Sequence, residues 1–399
     1  MDGSADLTIK LPTGNGRMES YRLHGPRQFV TATSPAELNR VAYSAAHVVA
    51  DPLATVNPWL DCAVDWDATI AYRRHLWRMG LGVAEAMDTA QRGMGMDWAQ
   101  SLELIRRSTA AAKEFPGALL ASGCGTDQLA PDAARTLDDV IRAYEEQMAA
   151  IEGMGGRLIL MASRALARIA RGPADYEKVY DRVLRQVRQP VIIHWLGDMF
   201  DPALKNYWGH ADLKQAVDIA LGIITAHAAK VDGIKVSLFD KNIEIGMRRR
   251  LPAGVRMYTG DDFNYAELIA GDGTGDEPNH QHSDALLGIF DAIAPAASAA
   301  LLALAQGNTA RFNEILAPTV PLSRHMFQAP TWHYKTGVVF MAWLNGHQNH
   351  FTMVGGQQSA RSLSHLAELF RLADAAGLLQ KPDLAIARMQ TLLALHGVS

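Results

Sequence analysis

The stretch VDGIKVSLFD, residues 231–240, decides how this chain of 399 residues is read. It has the length and content of a short buried strand with one charge inside it. Side chains alternate along a strand, so Gly233, Lys235 and Ser237 share one side, while Ile234, Val236 and Leu238 share the other and face packing helices. Lys235 therefore points inward among small residues. A lysine in a low-dielectric site loses part of its preference for the charged form, and a neutral amine is a nucleophile that can form a Schiff base with a ketone. The same placement suits a lysine paired with a carboxylate in a polar barrel centre, because structural ion pairs perturb lysines too.

Outward from this strand, short apolar runs recur between residues 52 and 290: PLATVNP, LGVAEAM, GALLAS, GRLILMA, PVIIHWL, DGIKVSL, GVRMYTG and DALLGIF. They alternate with longer segments of helical periodicity, such as SLELIRRSTAAAKEF (101–115) and ARTLDDVIRAYEEQMAAIEGM (134–154). Eight strands separated by helices predict a (β/α)8 TIM barrel, an architecture of about 250 residues. A doubly wound sheet differs only in strand order, which the sequence does not display. Residues 4–24 alternate around the turn Thr13-Gly14-Asn15-Gly16 and predict a β-hairpin ahead of the barrel, either a decoration or an oligomer contact. After Pro295 the pattern becomes helical. The expected division is an N-terminal extension with the hairpin (1–50), the barrel (51–318) and a helical C-terminal extension (319–399) packed on the barrel's side or mouth.

Composition narrows the function classes. Charged residues are 20% and hydrophobic residues 48%, as in a soluble globular protein, and the net charge of -4 gives no electrostatic case for nucleic acid or an anionic membrane. The expected partner is a small molecule. Only Cys62 and Cys124 are present, in no CxxC arrangement, so neither a disulfide framework nor a thiolate zinc site is expected. The start MDGSADLTIK lacks the basic and apolar segments of a signal peptide, and no window approaches a membrane span, which together predict a cytoplasmic protein.

Barrel enzymes place their chemistry at strand C-terminal ends. By that rule strand two delivers Asp88, Thr89 and Gln91. Strand three delivers the turn ASGCGTDQ, where Gly123 and Gly125 could expose backbone N–H groups to an anion. Strand four delivers Ser163, strand five His194 with Asp198 and Asp201 beyond it, strand six Lys235, and strand seven Asp261 and Asp262. The loop 271–284 precedes strand eight and falls on the opposite face.

Taken together, these residues resemble the class I aldolases and synthases related to dihydrodipicolinate synthase and N-acetylneuraminate lyase. GIK with Lys235 is similar to that family's Schiff-base motif, TGDD (259–262) to its GDD, ASGCGTDQ to its glycine-rich turn, and HYKTG with Lys335 to the lysine of its following helix. The resemblance covers about residues 50 to 340. It implies an aldol or retro-aldol reaction through a lysine imine, no organic cofactor, and a homo-oligomer. Two departures stand out. The tyrosine that relays protons in the family's YNxP motif falls at His194, and its strand-two GTTGE reads MDTAQ.

Asp88 thus stands where a threonine would help hold a 2-oxo acid. A carboxylate there should repel a pyruvate-like group, because like charges in a desolvated site are costly. Asp88 suits hydroxyl groups, which predicts a keto sugar or polyhydroxy ketone in carbohydrate metabolism. In this reading Lys235 is the nucleophile and His194 shuttles protons near neutral pH, while Asp88, Thr89, Gly123, Ser163 and Asp262 line the pocket. No metal is required. An alternative is a divalent-metal-dependent barrel aldolase or sugar isomerase, with Asp88, His194, Asp261 and Asp262 as ligands. Another is a non-catalytic sugar-binding barrel, although a buried amine without partners would not serve mere packing. One of Asp261 and Asp262 is expected to cap the next helix. His280 with His282 and His347 with His350 are read as surface-loop pairs, Cys124 as a packing residue, and Arg248–Arg250 as a solvated basic run. Glu85 must be paired if buried, with Lys235 or Arg157 as conceivable partners.

Overall fold

A computed structural model describes residues 7–274 and 276–398, so positions 4–6 of the expected hairpin run lie outside the described residues. The hairpin is formed by β1 (Thr8–Pro12) and β2 (Met18–Arg22), paired antiparallel. Eight further strands form a closed parallel barrel: β3 (Ala42–Ala45), β4 (Gly82–Glu85), β5 (Leu120–Cys124), β6 (Arg157–Leu160), β7 (Val191–Leu196), β8 (Val231–Ser237), β9 (Arg256–Thr259) and β10 (Asp284–Leu287). They follow chain order around the barrel, with β10 closing on β3. The strand-order question is thereby answered in favour of the (β/α)8 barrel.

Seven of the eight expected apolar runs coincide with barrel strands, and the first does not. PLATVNP forms turns, and Leu53 within it is 90% exposed. Its two prolines cannot donate to a ladder. The first barrel strand lies upstream at Ala42–Ala45, every residue of it buried, so the barrel begins before the expected boundary at residue 51.

Alternation along the strands separates two apolar layers. Tyr43, Ala84, Ala121, Ile159, Ile192, Tyr258 and Leu286 fill the barrel interior. Ile193, Trp195, Ile234, Val236 and Met257 face the surrounding helices. The inward set on β8 is therefore Gly233, Lys235 and Ser237, as the period of two predicts. A Cβ on Gly233 would meet the Tyr258 ring at 2.7 Å, so glycine makes room for that ring below the lysine.

Glu85 is fully buried, and its partner is Arg73 of the helix Trp66–Trp77, not Lys235 or Arg157. Arg73 Nε and Nη2 each donate to it at 2.9 Å. The basic run at 248–250 divides. Arg249 and Arg250 are half-exposed and paired with Asp272 and Asp218, whereas Arg248 is buried and donates to the His280 carbonyl. The hairpin docks on the chain's own C-terminal extension: Tyr21 and the His24 backbone N–H both donate to Asp374 of the helix Leu363–Ala375. No described helix is long and apolar enough to cross a membrane.

Candidate active site

Lys235 sits inside the barrel in register with His194 on β7 and Tyr258 on β9. It is 8% exposed, and burial pushes its pKa down, opposed in part by the charges of Asp262 and then Asp88. A desolvated ammonium loses water's stabilisation, so the neutral amine becomes more accessible. Asp262 is buried as well. Burial pushes its carboxyl up, against the pull of the Ile289 N–H donated to Oδ1 at 2.9 Å and of the Lys235 charge. His194 is driven well below the usual imidazole value by burial and then by Lys235. Its Nε2 lies 3.3 Å from the Ser237 hydroxyl, and its buried Nδ1 has no hydrogen-bond partner among the described residues. A neutral imidazole in this position can orient a hydrogen bond or accept a proton, but is a poor proton source near pH 7.

The loop after β4 meets the C-terminal extension above this centre. Asp88 opens a short turn of 3-10 helix, Asp88–Ala90, and its Oδ2 lies 3.0 Å from Nζ of Lys335. The contact is an ion pair in which Asp88 occupies the buried Lys335 cation. Thr89 exchanges a 2.7 Å hydrogen bond with the Tyr334 hydroxyl. Tyr334 and Lys335 open the helix Tyr334–Leu344, and both are buried. A cavity of about 330 Å³ reaches down to Asp88 and His194 and is walled by Arg92, Thr126, Met161, Arg164 and Asp201 among others. Its cations are matched. Arg92 forks onto Asp127 and Arg164 pairs with Asp201, while Lys335, outside its wall, stands against the Asp88 that lines it.

Other expected site residues take structural places. Gly123 lies within β5, where its carbonyl accepts from Arg92 Nη1 at 2.6 Å, and it does not border the cavity; Gly125 does. The Gly125 N–H donates to Gln147 at 2.6 Å, so the glycine turn presents no free nest for an anion there. Ser163 caps the helix Arg164–Ile169 by accepting from Leu166 N–H, and its hydroxyl also bonds Thr126 at 2.6 Å. Asp261 is the local cap: it accepts from the N–H groups of Phe263 and Asn264 and from Asn264 Nδ2. That commitment removes Asp261 from the alternative ligand set of Asp88, His194, Asp261 and Asp262. Among the described residues, no group of three or more His, Cys, Asp or Glu is placed to hold a metal ion. His280 bonds the Leu251 carbonyl on the opposite barrel face, and the His347 ring lies against His75 and Tyr72. Cys124 is buried, its Sγ 3.9 Å from the Tyr144 carbonyl.

A family model described as "Protein of unknown function (DUF993)" matches residues 9–398, nearly the whole chain. The chain belongs to this family. No curated protein sequence matches it. Among solved structures, this DUF993 member is similar to dihydrodipicolinate synthase from Cyanidioschyzon merolae with lysine bound, at a TM-score of 0.62 and 13% identity over 84% of this chain and 98% of that one. It is also similar to YagE from E. coli K12, a prophage protein of the dihydrodipicolinic acid synthase family in complex with pyruvate (TM-score 0.61, 12% identity, 91% and 100% covered). Dihydrodipicolinate synthase from Aquifex aeolicus gives a TM-score of 0.59 at 11% identity, with 90% and 98% covered. The fold shared with these structures is the one that the sequence resemblance implied.

Two groups of the site escaped the sequence reading: Tyr334, and the pairing of Lys335 with Asp88. Their only signal was the placement of a polar HYK beside a strongly apolar helix. A third requirement is Gly260, just beyond β9. A Cβ there would lie 2.7 Å from Lys235 Cε and would overlap the Ser237 hydroxyl. Gly260→Ala is expected to cost about 1–3 kcal/mol of stability in denaturant titrations, because overpacking a full interior is strained. It should also slow any covalent capture at Lys235, and an alanine variant with normal stability and normal capture would refute this crowding.

Proposed function

We propose that this protein is an aldolase-type lyase that binds an uncharged polyhydroxy ketone as an imine on Lys235. The observation behind this reading is an amine desolvated in the barrel interior, in register with His194 on the neighbouring strand, and His194 in turn lines the cavity. The neutral amine adds to the ketone carbon, the carbonyl oxygen leaves as water, and the resulting iminium accepts the electron pair of the adjacent C–C bond as that bond breaks. His194 would orient the oxygen through a hydrogen bond from its ring. Asp262 would hold the charge balance as Lys235 passes between its protonated and iminium forms.

The substrate class follows from the cavity's charges. YagE was solved with pyruvate, whose carboxylate needs an uncommitted cation or free N–H groups. Here Lys335, Arg92 and Arg164 already face carboxylates, and the Gly125 N–H is occupied. The pairing of Asp88 with Lys335 changes the expected argument: Asp88 acts less by repelling an anion than by occupying the cation that would bind one. A carboxylate balanced by Lys335 can still accept from a substrate hydroxyl through its remaining lone pairs.

Borohydride reduction in the presence of dihydroxyacetone, D-fructose, D-tagatose or pyruvate, read by intact mass and peptide mapping, tests the reading. A reduced adduct on Lys235 with a hydroxyketone is expected. Capture of pyruvate alone would overturn the substrate class, and no adduct with any of the four would overturn the imine.

A further inference from the structure

The C-terminal extension reaches the centre of the site with two consecutive side chains, and only one has been given work so far. Lys335 stands against Asp88. Tyr334 enters the barrel mouth above the end of β10, where a Cβ on Gly288 would touch its ring at 3.1 Å. Its ring is fixed by stacking on Phe327, with centroids 4.2 Å apart and planes 15° apart, and by the edge of Phe200. The hydroxyl is held at 2.7 Å from Thr89, the neighbour of Asp88. Asp88 and Asp262 act electrostatically on both the Lys235 amine and the Tyr334 phenol, so the two groups share one pair of carboxylates. A rigid, buried phenol whose packing needs only its ring presents its hydroxyl for another purpose.

We propose that Tyr334 is the proton relay of the site, linking the substrate to Asp88. This rests on the imine reading above. As the C–C bond breaks, the proton of the departing substrate hydroxyl moves to the Tyr334 oxygen while the phenol's own proton passes to Asp88. The cleaved C–C pair enters the iminium and forms an enamine, and the hydroxyl oxygen becomes the new carbonyl. In the return step the enamine C=C pair takes a proton from Tyr334, the nitrogen pair re-forms C=N, and Asp88 gives its proton back to the phenol oxygen. One proton travels from oxygen to carbon, and no outside acid is consumed. Burial, and then the charge of Asp88, hold the phenol's pKa well above its ordinary value, so Tyr334 stays protonated and works by passing a proton on, not as a phenolate. Thr89 fixes the direction of the hydroxyl.

The test uses dihydroxyacetone in D2O with the full-length protein. The relay, run on the imine of this ketone, exchanges its α-hydrogens for deuterium, which NMR follows directly, while borohydride capture reports the imine separately. Tyr334→Phe keeps the ring and its stacking. It is expected to keep the Lys235 adduct and to exchange about 100-fold more slowly than wild type, in the range of a lost acid–base group. Thr89→Val should fall between the two, and Thr89→Ser, which retains the hydroxyl, should exchange like wild type. Exchange in Tyr334→Phe within about twofold of wild type, or a wild-type adduct with no exchange, would overturn the relay and leave the imine standing. No adduct in the wild type would overturn the imine reading, and the relay with it.

Discussion

Lys235→Ala is expected to give a folded barrel with no borohydride adduct and with turnover reduced on the order of 10^4- to 10^6-fold, the scale of removing a covalent nucleophile. The imine needs an amine that burial makes easier to deprotonate, and Lys235 is the lysine that the barrel strands carry inward. Lys335 is equally buried, but it faces Asp88 at 3.0 Å and donates to the Trp332 carbonyl at 2.9 Å. Lys235→Arg separates charge from nucleophilicity: a guanidinium keeps Asp262 and Asp88 company but stays protonated and cannot form the imine. It should be as inactive as alanine. The pH dependence has a definite sign. Burial lowers the Lys235 pKa, so the neutral fraction, and with it the rate of capture, rises with pH and levels off before the ~10.4 of a solvated lysine. A midpoint at or above that value, or an adduct on another lysine in the alanine variant, would sink the assignment.

Arg73→Ala is expected to destabilise the fold by about 3–5 kcal/mol, the cost of breaking a buried ion pair from one side. Both partners are fully buried. Arg73 forks onto Glu85 with two 2.9 Å hydrogen bonds, and its Nη1 reaches the backbone carbonyls of His47 and Thr69. It therefore ties the helix Trp66–Trp77 to the ends of β3 and β4 at once. Once Arg73 is gone, Glu85 keeps the Ser108 hydroxyl and the Ala86 N–H, too little to hold a desolvated carboxylate. Chemical denaturation monitored by circular dichroism measures the loss. The double variant Arg73→Met/Glu85→Leu should recover much of it, because a hydrophobic pair of similar volume removes the stranded charge. A loss below about 1 kcal/mol in the single variant would mean that water reaches the site, contrary to its burial.

The barrel was legible where strands are long and mostly apolar, as in PVIIHWL and DGIKVSL. It was illegible at β3, where the ladder is only the four residues AYSA, too short to show a period. Lys235 could be placed inside because a period of two is a local rule. The partners of Asp88 could not, because Thr89 and Tyr334 meet across 245 residues of chain, and no local pattern encodes such a contact. Burial bears on two other readings. His194 has the intrinsic pKa of a shuttle, yet desolvation and the neighbouring lysine keep it neutral. Arg248 belongs to a basic triplet, yet its turn of helix faces inward while the next two residues meet solvent. Ser163 stands at a strand end yet caps the helix that follows, and Gly123 lies inside β5 with its carbonyl on the Arg92 side chain.

The position of Tyr334 and Lys335 also sets a timetable. A ribosome delivers all eight barrel strands, the last ending at Leu287, before it adds either residue. Domains tend to fold as units during synthesis, N-terminal parts first. A newly emerged barrel would therefore hold Lys235 near an Asp88 that lacks Lys335 and a Thr89 that lacks Tyr334, and these contacts form only when the helix Tyr334–Leu344 arrives. The two groups that the proposed mechanism sets beside Asp88 and Thr89 thus join the barrel only after its last strand is complete.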